Sequence, residues 1–98
     1  MIDVKKYEKY YFEAARKIFN TPSPTGYYTE IADVIRELAD EVGAEFTRTN
    51  KGCFLLTVKG KKEEALGLCA HADTLGAMVR SFSGNRIMFT RIGGPVLS

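Results

Sequence analysis

Ala65-Leu66-Gly67-Leu68-Cys69-Ala70-His71-Ala72-Asp73 is the stretch on which the reading of this chain turns. Its first six residues are apolar or small without alternation. Such a run suits a strand covered on both faces, as in the middle of an α/β sheet. It is followed by the chain's one histidine, His71, and two residues later by Asp73. The end of a central strand is where α/β sheets place their ligands. An imidazole can bind zinc through one ring nitrogen, provided that a partner on the other nitrogen fixes its tautomer; a carboxylate serves well.

Outward from this stretch, the N-terminal side reads as helical. Val4, Tyr7, Tyr11, Ala14, Ala15 and Ile18 recur every three or four residues, which predicts an amphipathic helix over 4–19 with the tyrosines packed in a core. Asn20-Thr21-Pro22-Ser23-Pro24-Thr25-Gly26 interrupts it, because each proline removes a donor and drives its predecessor extended. Ile31, Val34, Ile35, Leu38, Ala39 and Val42 form a second stripe, closed by Gly43 in a position that suits a left-handed helix end. Strand signals follow at 44–49 and 53–58, with Asn50-Lys51-Gly52 as the turn between them. Beyond Asp73, 76–82 and 86–92 read as two strands around Ser83-Gly84-Asn85, and Pro95 marks a bend. The fold class is therefore α/β: two N-terminal helices, then strands.

The bulk numbers bound the function. Ninety-eight residues make at most one small domain, 45% hydrophobic and 27% charged, a globular rather than a disordered composition. A net charge of +2 with mixed signs, and no basic stripe with interleaved aromatics, excludes nucleic acid as the expected partner. No apolar run approaches the roughly 20 residues of a membrane span. Cys53 and Cys69 lie in apolar runs and read as small buried hydrophobes, and the charged N-terminus is not a signal peptide. A reducing cytoplasmic setting is expected. The apolar ending Pro95-Val96-Leu97-Ser98 reads as an element cut short, hence the expectation of a truncated chain.

A zinc site needs at least three convergent protein ligands, and successive same-face residues of a strand splay apart, so Cys69, His71 and Asp73 are not expected to share one ion. Nucleophilic hydrolase, phosphate-loop and two-carboxylate glycosidase patterns are absent.

Ala70-His71-Ala72-Asp73-Thr74-Leu75-Gly76-Ala77-Met78-Val79 resembles the metal-binding segment of the glutamyl/deblocking aminopeptidases, some of which carry an older cellulase- or endoglucanase-like label. Ser23-Pro24-Thr25-Gly26, Asn50-Lys51-Gly52 and Arg91-Ile92-Gly93-Gly94 resemble further segments of that family, in its order. The resemblance implies that His71 is a ligand of one of two divalent metal ions, zinc or cobalt, and that Asp73 is the catalytic-site carboxylate orienting a ligand imidazole. It implies that 1–73 open the metallopeptidase catalytic domain and 74–98 begin an inserted β-barrel-like domain. It further implies a peptide substrate and a homo-oligomer, with the remaining ligands further along the family's chain. This chain alone is then expected to be inactive and to hold no metal tightly. The alternatives are a non-catalytic binding or assembly module, and a glycan hydrolase as the older label suggests.

Overall fold

A computed structural model describes residues 1–94. The apolar ending 95–98, with the bend expected at Pro95, lies outside the described residues. Helix α1 spans Val4–Phe19 and helix α2 spans Thr29–Glu41. Strand β1, Glu45–Arg48, pairs antiparallel with β2, Phe54–Thr57; β3, Gly76–Ser83, pairs antiparallel with β4, Arg86–Ile92. These form two separate two-stranded sheets.

Local chemistry sets the boundaries. Asp3 caps α1 by accepting from the Lys5 amide at 3.1 Å, and Arg16 and Lys17 complement the dipole in the last turn. Gly43, with φ of +69°, ends α2 as the spacing predicts. The Gly43 amide donates to Asp40 O and the Ala44 amide to Ala39 O, the paired bonds of a Schellman motif. This turn aims the chain into β1, whose Phe46 ring lies under the Arg36 guanidinium of α2 at 5.0 Å and meets Phe54 of β2 at 5.6 Å. The β1–β2 turn closes on Thr49, which accepts from Gly52 and Cys53 and donates its own amide to Cys53 O.

The core is small and belongs to α2: Ile31, Ala32 and Ala39, joined by Ala44. Helix α1 buries no residue fully; Ala14, Ala15 and Ile18 are half-covered, and Lys17 pairs with Glu37 across to α2. Three expectations are corrected here. Tyr7 and Tyr11 follow the α1 stripe but stand exposed, because a stripe marks the side a helix would bury and nothing among the described residues covers its N-terminal half. Residues 65–70 form no strand, and Leu66 and Leu68 are 88% and 90% exposed. A central strand exists only between neighbours, and no described strand pairs with this run. Cys53 and Cys69 are accordingly exposed free thiols rather than buried ones. No helix among the described residues is long and apolar enough to cross a membrane.

Candidate functional site

His71 and Asp73 follow the unpaired run 65–70, and the loop between the two helices holds this part of the chain in place. The buried hydroxyl of Ser23 donates to the carbonyl of Ala72 at 2.8 Å, and the Thr74 amide donates back to Ser23 O at 2.9 Å. Pro24 and Thr74 form a parallel bridge. The start of β3 is pressed against the same loop: a Cβ at Gly76 would sit 2.6 Å from the Pro24 Cβ. The loop thus grips residues 72, 74 and 76 through backbone and ring, which fixes the path of the chain through Asp73.

The side chains complete the arrangement. Nδ1 of His71 lies 3.1 Å from the Asp73 carbonyl oxygen and 3.2 Å from Asp73 Oδ1. Both partners are acceptors, so Nδ1 carries the proton and donates. In the neutral ring Nε2 is then left bare, with its lone pair available to a metal ion or a proton. The other carboxylate oxygen, Oδ2, accepts from the Thr25 hydroxyl at 2.8 Å. The Thr25 bond is the largest influence holding the Asp73 carboxyl below its ordinary value; partial burial opposes it, and the His71 bond adds to the lowering. Asp73 therefore stays an ionised acceptor.

His71 is not at the end of a buried strand as expected. Its side chain is 87% exposed and that of Asp73 41%. Residues 71–73 lie in no strand, and the imidazole reaches the Asp73 carboxylate at 3.2 Å. Among the described residues no three His, Cys, Asp or Glu side chains gather where they could hold a metal ion, Cys69–His71–Asp73 included. The donor set thus fits a single ligand position, Nε2 of His71. Ser23 and Thr25 were read from sequence as part of a break between helices and of a turn that resembles one in the family, without a part in the site. Two hydroxyl residues flanking a proline were the available signal, but nothing in the linear sequence ties them to residues nearly fifty positions away.

The profile of the M42 glutamyl aminopeptidases matches residues 52–97, which contain His71 and Asp73. That match takes in 46 of the 98 residues, and over them the chain is similar to the M42 glutamyl aminopeptidases. It bears out the family resemblance read from the sequence. The chain is also similar to YhfE of Bacillus subtilis (strain 168), whose name describes it provisionally as an aminopeptidase. The two are 36% identical over 84 residues, which cover 84% of this chain and 24% of that protein. This chain thus spans about a quarter of that relative's length. No solved structure matches it.

Proposed function

We propose that this chain is the opening part of a metal-dependent aminopeptidase of the M42 type that removes N-terminal residues from peptides, and that it contributes one metal ligand and that ligand's orienting carboxylate. The observation that carries the reading is the bare Nε2 of His71, left by the two acceptors on Nδ1, inside the segment the family profile matches. In this reading His71 is the ligand and Asp73 sets its tautomer, the division of labour that metal-bound imidazoles require. Two divalent ions, zinc or cobalt, would when bound polarise the peptide carbonyl and acidify the attacking water. The other donors come from protein outside these 98 residues, since one imidazole is short of the three protein ligands of a catalytic zinc site.

The reading includes a domain division at Asp73. Residues 1–73 would belong to the catalytic domain and 74–98 would begin an inserted β-barrel-like domain. The separate β3–β4 sheet, which begins two residues after Thr74, supports that division. Assembly as a homo-oligomer and a reducing cytoplasmic setting are part of the same proposal, the latter in keeping with the free thiols of Cys53 and Cys69.

The test uses the 98-residue chain with added zinc or cobalt. No amino acid is released from Glu- or Leu-anilides, and zinc binds no more tightly than to a surface histidine. At high zinc, the ¹⁵N signal of His71 Nε2 moves while that of Nδ1 stays of the protonated type. Turnover that vanishes in His71→Ala, or a stoichiometric submicromolar zinc site, would overturn the single-ligand assignment.

A further inference from the structure

The loop between α1 and α2 touches the His71 site in two chemically different ways. Ser23 and Pro24 hold backbone: the Ala72 carbonyl, the Thr74 amide and the space beside Gly76. Thr25 instead holds a functional group, the Asp73 carboxylate, by a 2.8 Å bond from its hydroxyl to Oδ2. Asp73 thus has one oxygen committed to Thr25 and the other to His71 Nδ1. A carboxylate bonded only through Oδ1 could swing about its Cβ–Cγ bond and leave Nδ1 only the Asp73 carbonyl oxygen, 3.1 Å away, as acceptor. Bonded at both oxygens, it is fixed where it adds the second acceptor that favours the proton on Nδ1. Thr25 is exposed, so this hydroxyl is not there to fill a core.

We propose that Thr25 is a positioning residue of the His71 site: through Asp73 it sets the imidazole tautomer that leaves Nε2 bare. This rests on the reading of His71 as a metal ligand, and it gives the helix–helix loop a direct part in the site. The connection runs from hydroxyl to carboxylate to imidazole, with the proton residing on Nδ1 throughout. The contact given for the Thr25 hydroxyl is with Asp73, so its effect acts through how often Nε2 is available.

His71 is the chain's one histidine, so its imidazole nitrogens can be read without ambiguity by long-range ¹H–¹⁵N correlation. The spectra are taken at about pH 8, above the ordinary histidine range, on the wild-type chain and on Thr25→Val and Thr25→Ser. The wild type shows a protonated-type Nδ1 and a bare-type Nε2. Thr25→Val keeps the volume and removes the hydroxyl, and the ratio of the Nδ1–H to the Nε2–H form falls about fivefold, the scale of one hydrogen bond. Thr25→Ser restores the wild-type ratio. Protection of the Thr74 amide, which depends on Ser23, is unchanged in both variants. That separates loss of orientation from loss of the loop contact. If Thr25→Val loses the fold, Thr25→Ala, with less to accommodate, takes the same measurement. An unchanged ratio in the variant lacking the hydroxyl overturns the role of Thr25 and leaves His71 as a ligand. A wild-type ring protonated on Nε2 overturns both.

Discussion

Ser23 is 1% exposed, the most deeply covered polar residue described, and its hydroxyl meets the Ala72 carbonyl directly beside the candidate site. A buried carbonyl that loses its donor forfeits about 1–2 kcal/mol. Ser23→Ala should therefore loosen the grip of the loop on residues 72–74. Amide hydrogen exchange reads this at Thr74, whose N–H donates to Ser23 O. Protection there should fall about tenfold, with little change in the α2 amides. Equal loss in α2 would mean that Ser23 supports the fold at large rather than the site. At this scale the sequence was half legible. His71 and Asp73 stand two apart, and the sequence alone suggested that the carboxylate could orient the imidazole, as the bond between them shows. Ser23 and Thr25 gain their meaning from a contact across 48 or 49 positions, which no local pattern records.

Helices α1 and α2 are tied by the pair between the Lys17 ammonium and the Glu37 carboxylate. The hydrogen bond from Lys17 to Glu37 is the chief cause of a lysine value raised above its ordinary 10.5; slight desolvation opposes it, and the charges of Glu37 and Glu41 add to the rise. A group whose folded value is raised contributes fully below its unfolded value and loses that contribution as pH rises through the folded one. The α1–α2 contact should thus be unaffected from neutrality to about pH 10 and should loosen above the ordinary lysine value. Both groups are well exposed, so the effect is small and screened by salt. Amide exchange in the last turns of α1 across that range, beside Lys17→Met, checks it; a variant with the wild-type pH response would sink the assignment. Helices, turns and both hairpins were readable from sequence because periodicity, caps and glycine turns are local devices. Helix α1 keeps the expected bounds, Val4–Phe19, and β4 the expected 86–92. The run 65–70 was misread for the complementary reason. Its composition describes a strand between neighbours, and strand formation is a property of the neighbours as much as of the run.

A compact monomer of 10.9 kDa exposes about 5,600 Å², whereas this chain exposes 9,099 Å². Its radius of gyration is 17.7 Å, against about 13 Å for a compact chain of this length. The excess, about 3,500 Å², exceeds the total surface that a standard protein–protein interface buries. Its apolar share is visible in the exposed side chains of Leu66, Leu68, Met78, Phe82 and Phe89 and in the uncovered stripe of α1. Paired strands that end in open edges, and apolar patches of this extent, favour association. A chain spanning about a quarter of its relative's length, with so little core, is therefore expected to associate with itself or with a partner. Sedimentation equilibrium across a dilution series, paired with thermal unfolding, is the most direct test of that claim. The account predicts a mass above one chain that falls on dilution, without a sharp cooperative transition for the dissociated chain. A compact monomer at every concentration, unfolding cooperatively, would contradict it and favour a self-contained binding module.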